Sequence, residues 1–287
     1  MIVSASYRTD IQAFFADWFR ARLADGGCEV KNPYGGKPYR VALRGDGVDG
    51  YVFWTRNASP FGVGLEDVRA LGLPFVIQFT VTGYPRALDA HTIQPAAACE
   101  QIRALAELYG PRAVVWRYDP VVFSSITAPA WHLQTFAGLA RDLAGSVDEC
   151  VVSFAHIYKK TRKRFEIASQ AHGFAWEDPG WPEKHRLFAR MSEISVVNGM
   201  KLTVCSQKDA LIDGTGGAKC IDANRLSDVA GFDIRARIKG NRDGCLCAES
   251  RDIGAYDTCA HGCAYCYAVS SHERAVGQLR LLTAEVS

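Results

Sequence analysis

Cys259-Ala260-His261-Gly262-Cys263-Ala264-Tyr265-Cys266-Tyr267 is the stretch whose reading decides the fold. It sets three thiols in a C-x3-C-x2-C spacing near the end of a 287-residue chain. Three cysteines on one turn can ligate three irons of a four-iron cluster, whereas the usual electron-transfer cluster takes four protein cysteines. The fourth iron would then be open to a small molecule. A structural zinc is the alternative, although zinc closes its shell with four ligands, commonly drawn from paired cysteines. Inside the motif, His261 reads as a spacer packed on the turn and Tyr265 as an aromatic packed beside it.

Outward from this motif, the composition is that of a globular protein with a core: 48% hydrophobic and 22% charged residues. The sequence opens on Met1-Ile2-Val3-Ser4 and passes directly into patterned sequence, without a leader-like apolar region or a membrane-spanning run. A cytoplasmic, membrane-free protein is expected. In a reducing compartment its ten cysteines read as metal ligands or buried thiols, not disulfides. A net charge of +2 argues against a broad nucleic-acid face, and Lys159-Lys160-Thr161-Arg162-Lys163-Arg164 reads as a solvated helix face.

Strand-like runs alternate with helical spacers, the pattern of βα units in a parallel sheet. Strands are expected at Met1–Ser6, Tyr51–Thr55, Phe75–Val81, Ala113–Tyr118, Cys150–Ala155 and Lys201–Cys205. Helices are expected at Ile11–Leu23, Ala97–Leu108, Trp131–Leu143 and Pro182–Val197, with loops and short helical pieces after Ser206. Reactive groups of such units gather at the C-terminal ends of the strands. Ser6, Arg8, Thr9 and Asp10 follow the first strand, Thr55 and Arg56 the second, Thr82 the third, and Arg117 and Asp119 the fourth. One polar rim would collect them, with Asp10 also placed to cap the helix at Ile11.

The motif resembles the cluster loop of the radical S-adenosylmethionine (SAM) enzymes, and Tyr256-Asp257-Thr258-Cys259 through Tyr267 resembles the form found in the spore photoproduct lyase-like subgroup. The resemblance implies a [4Fe–4S] cluster on Cys259, Cys263 and Cys266, SAM on the open iron, and reductive cleavage to a 5′-deoxyadenosyl radical. It also implies a low-potential reductant such as flavodoxin or ferredoxin, and a substrate that it does not identify. In that family the loop follows the first strand of a partial (β/α)6 TIM-like barrel. Here it is C-terminal, so the expected fold is a circular permutant in which Asp252–Tyr256 is the family's first strand, Ala268–Leu282 its first helix and Met1–Ser6 its second strand. Surface termini lying close together make such a rearrangement physically reasonable. Ser4-Ala5-Ser6-Tyr7-Arg8-Thr9-Asp10 and Trp54-Thr55-Arg56-Asn57 resemble the family's second and third strand ends. The resemblance thereby implies SAM contacts from Tyr265, Ser4, Ser6, Arg8, Asp10, Thr55, Arg56, Thr82, Arg117 and Asp119. The whole chain also resembles a bacterial family of unknown function with the same C-terminal cysteine placement. It is expected to form one domain over residues 1–287, with 206–250 an irregular cysteine-bearing insertion and 251–287 the cluster-binding strand, loop and helix.

Cys205, Cys220, Cys245 and Cys247 make a second group, suited to an auxiliary [4Fe–4S] cluster or a zinc. Cys28, Cys99 and Cys150 read as buried thiols. Two further readings stay open at this level: an iron–sulfur electron carrier or redox sensor without SAM chemistry, and a structural zinc protein.

Overall fold

Strands covered on both faces read as continuous apolar runs, and the six runs of the sequence all form strands. The structure, a computed structural model, describes residues 1–32 and 35–284. Its strands are β1 (Ile2–Ala5), β2 (Gly27–Val30), β3 (Tyr39–Ala42), β4 (Gly50–Thr55), β5 (Phe75–Thr80), β6 (Val114–Val121), β7 (Phe123–Ser124), β8 (Glu149–Phe154), β9 (Trp176–Glu177), β10 (Lys201–Val204), β11 (Gly216–Gly217) and β12 (Ser250–Asp252). Its helices are α1 (Ile11–Phe14), α2 (Ala16–Ala24), α3 (Gly62–Ala70), α4 (Pro95–Tyr109), α5 (Pro129–Leu143), α6 (Lys159–His172), α7 (Trp181–Val197), α8 (Ala223–Ala230) and α9 (His272–Ala284).

Eight strands form one α/β sheet in the order β11-β10-β8-β6-β5-β4-β1-β12, every neighbouring pair parallel. From β1 to β11 the spatial order follows the chain without a reversal. The C-terminal β12 is the exception, lying beside β1 at the opposite edge, with Ile2 opposite Ser250 and Ser4 opposite Asp252. Two short antiparallel pairs, β2–β3 and β7–β9, lie outside the sheet.

Successive strand residues face opposite ways, which divides the core in two. Val3, Ala5, Tyr51, Phe53, Ile77, Phe79, Val114 and Trp116 pack with residues from α2, α3, α4, α5 and α7. Ile2, Val52, Val76, Val115 and Val151 face the other way, onto α8 and the cysteine-bearing segment around it. Leu226 belongs to this second cluster, while Arg225 pairs with Asp148 at 2.8 Å and Glu149 at 2.7 Å, tying α8 to the N-terminal end of β8.

Four local departures from the sequence pattern have physical causes. The expected helix Ile11–Leu23 is divided at Phe15 (φ −134°, ψ 32°), and the break lets Phe15 and Phe19 both enter the core. Gly62 and Gly64 weaken the helical signal of α3, which forms because Leu65 and Val68 are buried. The expected strand Asp252–Tyr256 instead ends at Asp252, whose side chain takes over the contact with β1, and the expected helix at Ala268 starts only at His272, after Asp257 has bound the Ser270 amide and hydroxyl.

His132 on α5 is fully buried behind the end of β6. Its Nε2–H donates to the Val122 carbonyl at 2.9 Å, and its Nδ1 accepts from the Tyr118 hydroxyl at 2.8 Å. Acceptance at Nδ1 requires the neutral ring, and burial lowers its pKa from 6.5 to about 4. Between those values the unfolded chain binds the extra proton, so stability is intact above pH 6.5 and falls as the pH drops toward 4. A tenfold change in proton affinity is worth about 1.4 kcal/mol. Urea unfolding between pH 7 and pH 4 should therefore show the wild type losing up to about 3 kcal/mol more than His132→Gln. Equal losses would refute the assignment.

Candidate functional site

At the end of β12 the Asp252 carboxylate accepts from Ser4 Oγ (2.8 Å), Ser6 Oγ (2.7 Å), Tyr7 N (3.1 Å) and Gly254 N (3.0 Å). Arg8 Nε stands 3.7 Å away, and Trp54 Nε1 donates onward to Ser4 Oγ at 3.0 Å. Burial raises the Asp252 pKa above its ordinary value despite the hydrogen bonds from Ser6 and Ser4 and the charge of Arg8. Gly254 passes so close to β1 that a Cβ there would lie 2.0 Å from Ser6 Oγ. One carboxylate thus aligns β12, β1 and β4.

From that junction the chain runs into the three-cysteine loop between β12 and α9. Gly262 turns it at φ +71°, and a Cβ there would meet His91 Cδ2 at 2.9 Å. The loop docks on residues 82–91 through Ala264 N to Leu88 O (2.8 Å) and His91 N to His261 O (3.0 Å). Asp89 accepts from Arg56 Nη1 and from Thr82 Oγ1, both at 2.9 Å, and from the Tyr265 hydroxyl; Arg56 Nη2 also donates to that hydroxyl. Tyr265 is therefore locked by an ion pair as well as packed. His261 Nε2 lies 2.8 Å from Asp10 Oδ2, with its ring 4.6 Å from Phe14, as expected of a packed spacer. Asp10 caps α1 through Ala13 N at 3.0 Å and also accepts from Arg56 N at 2.8 Å.

Cys259, Cys263 and Cys266 are free thiols that border a cavity of about 220 Å³ at the C-terminal ends of the strands. Burial, with Cys266 and Asp10 nearby, pushes the Cys259 thiol up to about 12, and burial also raises Cys263 against the pull of Arg56. Of the rim residues expected from the sequence, Ser6, Arg8, Asp10, Thr55, Arg56, Arg117, Asp119 and Tyr265 line this cavity. Ser4 and Thr82 do not: Ser4 holds Asp252, and Thr82 holds Asp89. Thr55 Oγ1 accepts from Asn57 N at 2.9 Å, a turn-forming role. Arg117 pairs with Asp119, lies 4.9 Å above the Trp54 ring and donates to Gln78 Oε1 at 3.1 Å. Arg8 and Thr9 line this cavity too; Arg8 Nε, beside the Asp252 carboxylate, and Thr9 Oγ1 are buried without a hydrogen bond.

The domain of unknown function DUF1848 matches residues 2–268, a span that opens on β1 and closes just past the three-cysteine loop. The chain belongs to that family. No curated protein matches it. The DUF1848 span thus holds both the strand ends that line the cavity and the cysteines that border it.

Four contributors to this DUF1848 site escaped the sequence reading. Asp252 and Asp89 are single carboxylates without motif spacing, although an aspartate within a strand is a mild signal in itself. Arg164 reaches back from α6 to donate to the Cys263 carbonyl at 2.6 Å, so the basic run is not only a solvated face: Lys159, Lys160, Arg162 and Lys163 are exposed while Arg164 holds the loop. Arg242 lines the cavity from the irregular segment. The structure also brings Cys205 and Cys220 together, 3.6 Å apart. Among the described residues no three Cys, His, Asp or Glu side chains surround a position for a single metal ion, and no helix is long and apolar enough to cross a membrane.

Asp252→Ala leaves two hydroxyls, two amides and the Arg8 charge without their buried partner. Denaturant unfolding should show a loss of about 3–5 kcal/mol, with Asp252→Asn losing less because it keeps one acceptor oxygen. An alanine variant as stable as wild type would show that β12 is held by other contacts.

Proposed function

We propose that the chain binds a [4Fe–4S] cluster through Cys259, Cys263 and Cys266, takes SAM at the iron they leave open, and starts radical chemistry on a further substrate. The observation that carries the reading is the position of the loop: three thiols border a cavity whose lining includes Arg8, Thr9, Asp10, Arg56 and Arg117. Bound there, the cluster would supply the electron for reductive cleavage of SAM, chemistry that belongs to the cofactor. The chain's own residues bind, orient and shield. Arg8 and Thr9 are suited to the amino-acid end of SAM, and Arg56, Asp89 and Tyr265 keep the loop against the strand ends. Trp54, Tyr7 and Tyr267 wall the cavity and limit water around a reactive intermediate. A flavodoxin- or ferredoxin-like reductant completes the scheme.

The same reading takes the sheet for a partial barrel, circularly permuted. A strand order that never reverses, with right-handed crossovers, sends the helices to one side, whereas a doubly wound sheet reverses at a switch point. In support, α2, α3, α4, α5 and α7 share one core cluster, and the opposite face carries Ser4, Trp54 and Arg117, which reach one another across strands. Placed before β1, β12 restores the spatial order of the expected barrel. The electron-carrier alternative needs a fourth ligand near the loop; His261, with Nε2 held by Asp10 and Nδ1 without a hydrogen bond, is the candidate in that reading.

After anaerobic reconstitution with iron and sulfide, the wild type should release 5′-deoxyadenosine from SAM on dithionite reduction, and Cys263→Ala should release none above background. Equal release by the two proteins would refute the proposal.

A further inference from the structure

Cys205, Cys220, Cys247 and Cys245 follow one another in a row of thiols that Ser206 closes into a ring. Cys205 Sγ and Cys220 Sγ are 3.6 Å apart, and Cys247 is within hydrogen-bonding reach of Cys220 on one side and of Cys245 on the other. Ser206 completes the circuit: its hydroxyl lies 3.6 Å from Cys205 Sγ and contacts Cys245. Its backbone has φ 52°, a region that residues other than glycine rarely enter.

The ring is pinned from several directions. Gln78 Nε2 donates to the Cys220 carbonyl at 2.9 Å, Ile221 N to Cys247 Sγ at 3.4 Å, and Ala248 N to the Ile221 carbonyl at 2.8 Å. Two guanidinium groups address its sulfurs, Arg117 Nη1 at 2.9 Å from Cys220 and Arg242 Nη2 at 3.5 Å from Cys205. Arg117 is only 5% exposed. Arg117, which also pairs with Asp119, and Arg242 set positive charge beside sulfurs that, as several thiolates in one ring, would otherwise repel. The ring also fastens the segment from Ser206 to Glu249, whose regular structure is limited to a single turn, the two-residue β11 and the eight-residue α8, onto the inner face of the sheet.

We propose that these four cysteines hold a second metal centre, ligated by four thiolates and separated from the cavity by Arg117 and Arg242. Four-thiolate ligation suits a zinc ion or a small iron–sulfur cluster. Because the ring does not converge on one ion position as it stands, loading draws the sulfurs inward around zinc or divides them between the irons of a cluster. The proposal is independent of how the three-cysteine loop is read.

The test uses the full chain with Cys259, Cys263 and Cys266 all changed to Ser, which removes the other site. Metal analysis and acid-labile sulfide are measured before and after anaerobic reconstitution, with circular dichroism to confirm folding. The triple variant should retain about one zinc per chain without sulfide, or iron and sulfide in equal amounts, the two results separating the two metals. Adding Cys220→Ser and Cys247→Ser should abolish that metal. Where the combined variant does not fold, Cys245→Ser in the otherwise native chain should lose the same metal while keeping any bound at the three-cysteine loop. A folded triple variant with neither metal after reconstitution, or a Cys245→Ser chain with unchanged metal, would overturn the proposal.

Discussion

A buried carboxylate with four hydrogen-bond donors around it is the constraint on which the architecture depends. Asp252 ends β12 and binds the hydroxyls of Ser4 in β1 and Ser6 just after it, so segments from the two ends of the sequence become neighbours in one sheet. Parallel neighbours cannot be joined by a tight turn, and here nothing in the local sequence brings them together. The pairing joins a backbone ladder to the side-chain contact and to Gly254, which lets the departing chain pass against Ser6. A carboxylate buried this deeply is tolerated only because all its neighbours donate.

From this junction follows the position of the three-cysteine loop. It leaves β12 at the C-terminal end of the sheet, where the polar ends of β1, β4, β5 and β6 gather, and it is fixed there by charges that belong to other elements. Arg56 and Asp89 clamp Tyr265, Asp10 holds His261, and Arg164 reaches the Cys263 carbonyl. Each of these contacts joins residues far apart in sequence, so the loop's geometry is a property of the whole fold. The opposite end of the inner face is closed differently, by α8 and its Arg225 ion pairs.

Much of this was legible in the sequence. The strands could be read because burial on both faces leaves an unbroken apolar signature, and α4, α5 and α7 because their apolar residues recur at helical spacing. Glycines hid α3, and the division at Phe15 could not be read because both halves keep the same apolar period. At the site, spacing revealed the three cysteines, and the C-x-C pair suggested the second group. Asp89, Arg164, Arg242 and Asp252 stayed hidden because a lone charged residue becomes a partner only through tertiary contact. The same reason explains why Ser4, expected from the resemblance, and Thr82, placed at a strand end by sequence, support carboxylates instead of lining the cavity.

The central claim is that the three-cysteine loop leaves a coordination position open to SAM. Electron paramagnetic resonance of the dithionite-reduced, reconstituted protein tests it directly, since a ligand on one iron alters the spectrum of the whole cluster. A [4Fe–4S]⁺ signal whose g values move when SAM is added is the predicted result. A cluster signal indifferent to SAM, or a reconstituted protein without any such signal, would contradict the account.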